Sequence, residues 1–383
     1  MQLSQEIELL RAQTRRLVDR ELRPRTLEIE RERRIPDEIV VRLRELGYFG
    51  LTIPERYGGL GLSTLAHLVV QEELGRAHAS INMLISGNNG IGVMALVLHG
   101  TDAQKDRWLP NLASGKWLAA FAFTEPNAGS DAQAIETRAI RSGDDFILSG
   151  TKHYISRGDI AHLITVFAVT DSVTRARGGI TAFIVEKGTA GFTVARIQES
   201  MGSDAVKQAE LVFEDCRVSA DQVVGEVGQG FATAMRVLDL GRLSLAARCL
   251  GTMEELLALS AAHASQRVQF GKPIADQPVI KHMLADTATD IAMLRPALYD
   301  AASRRDGGDT VTQAAAMLKL FASEALGHAA DRAVQIHGGM GFMRDCAVEG
   351  IYREARMMRI VEGTSEIQRL LIARGVLEGY RAT

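Results

Sequence analysis

Ala161-His-Leu-Ile-Thr-Val-Phe-Ala-Val169 is the stretch on which the fold turns. Its density of Phe, Val, Ile and Thr reads as a strand. The same texture recurs on both sides, in Asp145-Phe-Ile-Leu-Ser-Gly150, Ile180-Thr-Ala-Phe-Ile-Val185 and Ala209-Glu-Leu-Val-Phe213. Turn clusters such as Gly143-Asp-Asp145, Ser149-Gly-Thr151 and Glu186-Lys-Gly-Thr189 separate the runs. Short strands at this spacing predict an antiparallel β-barrel or sandwich. No long helix alternates with them, so a doubly wound dinucleotide-binding sheet is not expected.

Outward from this block the periodicity changes. On the N-terminal side, Ile7, Leu9, Leu10, Thr14, Leu17 and Val18 recur at helical spacing. Pro36-Asp37 opens a second helix to Leu46, Thr64 to Leu74 reads as an amphipathic helix, and Asp102 opens another towards Leu112. On the C-terminal side, residues 231–259, 280–303 and 312–335 are long periodic segments, joined in one place by the turn Asp306-Gly-Gly-Asp309. With a tail helix they predict a four-helix bundle. The expectation is an α+β chain with an N-terminal α-helical domain (1–118), a middle β-domain (119–225) and a C-terminal four-helix bundle domain (226–383).

Composition excludes several classes. The chain has 383 residues and is 46% hydrophobic, enough for a large core. Its net charge is 44 − 47 = −3, and clusters such as Arg15, Arg16, Arg31, Arg33 and Arg34 alternate with Glu as on a solvated helix face. Nucleic-acid binding is therefore not expected. Cys216, Cys249 and Cys346 are far apart, which fits buried thiols in a reducing compartment and neither zinc nor a disulfide framework. The charged stretch 5–34 is unlike a signal peptide, so a cytoplasmic location is expected. The apolar stretch 81–99 contains Asn82, Ser86, Asn88 and Asn89, and reads as a kinked core helix rather than a membrane span. His153 and His337 lack neighbours at ligand spacing, so no metal site is expected. No Gly-x-Ser-x-Gly elbow supports hydrolase chemistry.

Five motifs can carry chemistry. In Arg359-Ile-Val-Glu-Gly-Thr-Ser-Glu-Ile-Gln-Arg369, Ser365 and Gln368 read as a capping box, with Ile367, Leu370 and Leu371 on one apolar face. Glu362 then lies just ahead of a helix N-terminus, either as a partly desolvated base or as an ordinary acidic lead-in. In Ala122-Phe-Thr-Glu-Pro-Asn-Ala-Gly-Ser-Asp131, Thr124, Ser130 and the small Ala128-Gly129 pair let a backbone approach a ligand, unless the stretch is a plain Pro-Gly loop. In Lys152-His-Tyr-Ile-Ser156, alternation puts Tyr154 and Ser156 on one face. That suits a planar heterocycle or a surface pair equally. In Arg267-Val-Gln-Phe-Gly-Lys-Pro273, the arginine is a phosphate contact or a helix-end charge. Gln335-Ile-His-Gly-Gly-Met-Gly-Phe342 lacks both the dinucleotide and the P-loop spacing, leaving a backbone cradle or a tight turn.

Taken in order, these pieces resemble the acyl-CoA dehydrogenase family, from about Arg34 to Leu377. The specific parts are Thr124-Glu125-Pro126 with Gly129-Ser130-Asp131, Arg267 with Phe270-Gly271, Gln335 with Gly338-Gly339, and Glu362-Gly363-Thr364. The resemblance implies the three-part fold above, with FAD between the β-domain and the C-terminal helices. It also implies a homotetramer, a dimer of dimers in which a neighbour completes the FAD site. Phe123 and Thr124 would contact the isoalloxazine ring, Tyr154 and Ser156 would lie against it, and Ser130 would face the acyl-CoA beside the cofactor. Arg267, Phe270, Gln277, Gln335, Gly338 and Gly339 would reach the partner's FAD. Thr364 and Glu366 would hold the pyrophosphate side, while Asp239, Arg242 and Gly363 would bind the acyl-CoA. Glu362 matches the family's base; the alternative base position, on a bundle helix, is Gly241 here.

The implied reaction is α,β-dehydrogenation of an acyl-CoA to the trans-2-enoyl-CoA, of a short/medium or branched-chain type, in fatty acid or amino acid catabolism. Glu362 would take the α-proton and flavin N5 the β-hydride, with an electron-transferring flavoprotein as acceptor. An acyl-CoA oxidase using O2 and a non-catalytic CoA-ligand-binding protein on the same fold are the alternatives. Two positions depart from the family pattern: Tyr154 stands where Trp is usual, and Arg157 where Asn is frequent. Residues 80–100 contain no Lys or Arg, and Met83, Leu84 and Ile85 are apolar, so a dicarboxylic acyl group is not expected.

Overall fold

The computed structural model describes residues 3–381. Seven helices come first: α1 (Gln5–Leu17), α2 (Thr26–Glu32), α3 (Asp37–Glu45), α4 (Thr64–Leu74), α5 (Ala79–Asn89), α6 (Met94–His99) and α7 (Asp102–Ala113). The apolar stretch Ala79–His99 is long and apolar enough by composition to cross a membrane, but 72% of its most apolar window is buried inside the protein. The chain leaves the helix at Gly90 and resumes at Met94, where the sequence indicated a kink.

Helix α4 departs from expectation. It is buried on nearly every side, not amphipathic, because it runs between α1 and the C-terminal helices. Its buried carboxylates are matched inside. Glu72 accepts from Arg295 Nε (2.9 Å) and Tyr299 Oη (2.6 Å), and Glu73 from Arg15 Nη2 (2.7 Å). Its first turn is capped from far along the chain: Asp306 accepts from the Thr64 N–H (2.7 Å) and the Leu65 N–H (3.0 Å). The turn at Asp306 is thus a cross-chain cap as well as a connection.

A single sheet follows, made of β1 (Ala119–Ala122), β2 (Arg138–Ser142), β3 (Asp145–Ser156), β4 (Leu163–Val169), β5 (Ile180–Glu186), β6 (Phe192–Gln198), β7 (Gln208–Ser219) and β8 (Val223–Val224). The order is β6-β7-β3-β2-β4-β5-β8, with β1 added against β4. Most pairs are antiparallel, but β1 runs parallel to β4, so the sheet is mixed. β4 is buried along its whole length, which accounts for its unbroken apolar texture.

The C-terminal part holds α8 (Gly230–Gln266), a two-stranded hairpin of β9 (Val268–Gln269) and β10 (Lys272–Pro273), α9 (Pro278–Asp306), α10 (Thr312–His337), α11 (Ala347–Met358) and α12 (Ser365–Arg381). Helix α8 is the spine and packs on α4, α9 and α10. It crosses α4 so closely that a Cβ on Gly251 would fall 1.7 Å from the Glu72 carbonyl oxygen. One apolar cluster therefore joins Leu65, Leu68 and Val69 of α4 to Leu243, Leu250 and Met253 of α8 and to Ala322 and Leu326 of α10.

Candidate active site

Glu362 sits in the loop between α11 and α12, with φ of 57°, followed by Gly363 at 92°. A non-glycine residue holds that conformation only when its surroundings fix it. Three side chains do so through two carbonyls. Arg242 Nε donates to Glu362 O (3.2 Å), Lys319 Nζ to Gly363 O (2.8 Å), and Gln368 Nε2 to both (3.2 and 2.9 Å). Lys319 was not singled out from sequence. A lysine on the buried stripe of α10, at helical spacing from Ala315, Ala316 and Ala322, is the signal that marks it.

The expected capping box does not form, and a single cap bond falls one residue earlier. Thr364 Oγ1 accepts from the Ile367 N–H (3.4 Å), while Ser365 Oγ donates to Glu324 (2.7 Å). Gln368 is spent on the base loop rather than on the cap. Leu370 is exposed, leaving Ile367 and Leu371 half-buried on the inner face.

The Glu362 carboxylate lies deep inside the protein. Its Oε2 has no hydrogen-bond partner. Burial pushes its carboxyl up to about 6, against the opposing fields of Arg248, Arg242 and Lys319. The carboxylate packs on Gly241: a Cβ there would lie 2.3 Å from Oε2, with Ile91 Cγ2 at 2.9 Å. The residue at the alternative base position is thus the floor on which Glu362 rests. Among the described residues no carbonyl accepts from the Glu362 N–H. Asp239 and Arg242 are buried and bound to each other (2.9 Å), with Thr312 Oγ1 donating to Asp239 (2.5 Å). Their visible work is to hold the base loop.

On the sheet side, Phe123 points into the core against Phe121 and Phe167, so it can offer a ligand backbone rather than a ring face. Its carbonyl accepts from Lys152 Nζ (3.1 Å), and the Thr124 carbonyl accepts from the His153 N–H (2.8 Å). Lys152 is fully buried and paired with Glu125 (2.7 Å), which also accepts from the Glu136 and Thr137 N–H groups. Burial lowers Lys152 to about 8. This pair rigidifies the loop that carries Thr124 and Ser130.

The strand alternation expected for Tyr154 and Ser156 is interrupted. The β3–β7 register shifts between Lys152 and Ile155, and Tyr154 has φ of 59°. Tyr154 is turned out, 62% exposed, with the His153 ring stacked beside it at 4.2 Å. Ser156 is half-buried and donates to Gln208 Oε1 (3.3 Å). An exposed aromatic ring on a bulge, next to the His153 N–H that bonds the loop carrying the exposed Ser130 and the open Gly129, fits a flat ring laid against the sheet.

The remaining predicted residues gather elsewhere. Arg267 and Phe270 lie at and beyond the far end of α8, Gln277 precedes α9, and Gln335, Gly338 and Gly339 end α10. Stacking of His263 on His337 (4.4 Å) joins the α8 and α10 ends. Phe270 is 94% exposed. From Gly241 to the end of α8 is about 38 Å at 1.5 Å per residue, so this group stands well away from Glu362.

Comparison with known proteins defines the class. Descriptions of the N-terminal, middle and C-terminal domains of acyl-CoA dehydrogenases match residues 4–116, 120–216 and 228–377. The chain belongs to the acyl-CoA dehydrogenase family and is an FAD-dependent oxidoreductase acting on acyl-CoA. It is 40% identical to an acryloyl-CoA reductase (NADH) of Anaerotignum propionicum, over 98% of this chain and 95% of that protein. It is 38% identical to an acyl-CoA dehydrogenase of Bacillus subtilis, over 99% and 100%. The butyryl-CoA dehydrogenase structure from Megasphaera elsdenii superposes with a TM-score of 0.94 at 35% identity, covering 98% of this chain and 99% of that one.

Proposed function

We propose that Glu362 is the catalytic base of an α,β-dehydrogenation that converts an acyl-CoA to its trans-2-enoyl-CoA. The observation that carries this is a deeply buried carboxylate with one unpartnered oxygen, raised towards neutrality and held in a left-handed backbone. The C–H bond beside a thioester is weakly acidic. Glu362 removes that proton, and its own free N–H stabilises the charge that develops on the thioester oxygen. One oriented donor in a dry site contributes about 3–4 kcal/mol. Arg242, Lys319 and Gln368 keep carboxylate and N–H in register by holding the two carbonyls. FAD, when bound, supplies the acceptor for the β-hydride. Thr124, Tyr154, Ser156 and the Phe123 backbone would hold its ring, and Thr364 and Glu366 its pyrophosphate side. Ser130 and Gly363 would flank the acyl-CoA.

The acceptor we propose is an electron-transferring flavoprotein, the location cytoplasmic, and the assembly a homotetramer. Arg267, Phe270, Gln277, Gln335, Gly338 and Gly339 cannot serve the site built on Glu362 in the same chain, given the length of α8. Their place is the cofactor of a neighbouring subunit. The exposed Phe270, Met293, Met317 and Phe342 support such an interface. Residues 1–118, 119–225 and 226–383 are the proposed units, supported by the change of element type at each boundary. The same base and N–H serve hydride transfer in either direction, and the relative named as a reductase makes the direction worth measuring.

The test is Glu362→Gln. The variant should keep FAD and bind acyl-CoA, yet lose substrate-driven flavin bleaching by several orders of magnitude. Bleaching at the parent rate would refute the assignment.

A further inference from the structure

Two arginine side chains lie inside the protein between α5, the end of β3 and α8, and among the described residues neither has a carboxylate within ion-pair distance. Arg157 reaches α5 from the sheet. Its Nε donates to Ala119 O (3.2 Å), and its Nη1 to Met83 O and to Ser86 Oγ (3.2 Å). Gly87 leaves the space it needs: a Cβ there would lie 2.7 Å from Arg157 Nε and Nη2. Arg248 stands seven residues beyond Gly241 on α8, two turns along the same face. Among the described residues the only side-chain partner of its guanidinium is Met358 Sδ at 3.6 Å, a weak acceptor.

The two cations are close enough for Arg248 to depress Arg157. Burial, then Arg248, brings Arg157 down to about 10. Arg248 is itself lowered by burial, and it exerts the largest opposing field on Glu362. Of the carboxylates nearby, Asp159 raises Arg157 but makes no ion pair with it. Glu354 already accepts from Ser203 Oγ (3.2 Å) and faces His78 Nε2 (3.5 Å), and Glu362 is the base. Arg248 is deep in the protein and lines a small internal cavity together with Asn82, Glu354 and Met358. A buried guanidinium without a counter-ion is costly. A ligand anion would remove that cost.

We infer that Arg248, backed by Arg157, binds a carboxylate at the far end of the acyl chain, so that the preferred substrate is the CoA monothioester of a short dicarboxylic acid. This rests on the reading of Glu362 as the base at the α-carbon. Seven residues amount to about 10 Å along the helix axis, and the Arg248 side chain leans back towards Gly241. The acyl group is therefore short. Helix α5 carries no cation, which is why its sequence pointed to an uncharged tail. The charges enter the pocket from the sheet and from α8 instead.

The experiment compares succinyl- and glutaryl-CoA with butyryl- and pentanoyl-CoA on the FAD-loaded protein, scoring both flavin reduction and dissociation constants. The parent should favour the carboxylate-ended member of each pair by about 10- to 100-fold, the worth of a charge-assisted contact. Arg248→Met should invert that ratio, and Arg248→Lys should retain part of it. Any general effect of the substitution on Glu362 cancels in the ratio. A parent that prefers methyl-ended tails, or an Arg248→Met protein with an unaltered ratio, overturns the proposal. If Arg248→Met does not fold, the parent ratio and Arg248→Lys decide. Failure of all four thioesters to reduce the flavin counts against the dehydrogenation reading, while the dissociation constants still decide the tail.

Discussion

Gly241→Ala separates the catalytic role of Glu362 from its structural one. In the interior of a long helix this change normally stabilises by roughly 0.5–1 kcal/mol. Here the added methyl would sit 2.3 Å from Glu362 Oε2, 2.9 Å from its Cδ and 2.9 Å from Ile91 Cγ2. Such overpacking costs about 1–3 kcal/mol when neighbours must shift. The two effects nearly offset, so global stability should change by no more than about 2 kcal/mol. The carboxylate is the group that has to give way. Its backbone is pinned through two carbonyls by Arg242, Lys319 and Gln368, so the movement falls on the side chain. A shift of about 1 Å in a reacting group costs on the order of 100-fold in rate. Anaerobic stopped-flow mixing with a good acyl-CoA should show flavin reduction slowed by about that factor, with a urea midpoint close to the parent's. Reduction at the parent rate would refute the claim that Glu362 rests on Gly241. A collapse of stability would refute the claim that the base loop is rigid and its side chain free.

Two other outcomes follow from the same geometry. Burial raises the Glu362 carboxyl from 4.5 to about 6, so flavin reduction should rise with pH through a limb near 6 as the base ionises. The same shift makes this group's contribution to stability fall as pH climbs from 4.5 to 6, because the folded state binds that proton more tightly; a limb near 4.5 would mean an unburied base. Lys152→Met should destabilise by about 3–5 kcal/mol in urea denaturation, since it strands the buried Glu125 beneath the Thr124 loop, and a loss under 1 kcal/mol would show that loop to be held by other contacts.

Much of this was legible in the sequence, for identifiable reasons. The change from helical period to strand texture near residues 118 and 225 is a local property, and local patterns carried it. The glycine-bearing motifs were visible because few residues tolerate those backbones. What escaped was long-range or one residue off. Lys152 stood within a quoted motif, but its partner Glu125 is 27 residues away and only the fold joins them. Lys319 carries a local signal in its spacing from Ala315, Ala316 and Ala322, but the carbonyl it holds is 44 residues away and only the fold joins them. The capping signal lay on Thr364 rather than Ser365, since Gln368 was needed to hold the loop. The bulge at Tyr154 broke an alternation that holds elsewhere in β3, and the φ of a tyrosine is not written in its neighbours.

The close crossing of α4 over α8 has a consequence for how such chains can be recombined. Glu72 and Gly251 meet at a distance that admits no side chain, and Asp306 caps α4 across 242 residues. The helices before the sheet and those after it are thus fitted to each other like two halves of a joint. A chimera that takes its first third from one relative and the rest from another inherits a mismatched seam, unless the facing residues of α4 and α8 travel together. Grafting the acyl pocket of one enzyme onto another is bound by the same rule, because Arg248 lies one turn from that seam and cannot be exchanged without regard to it.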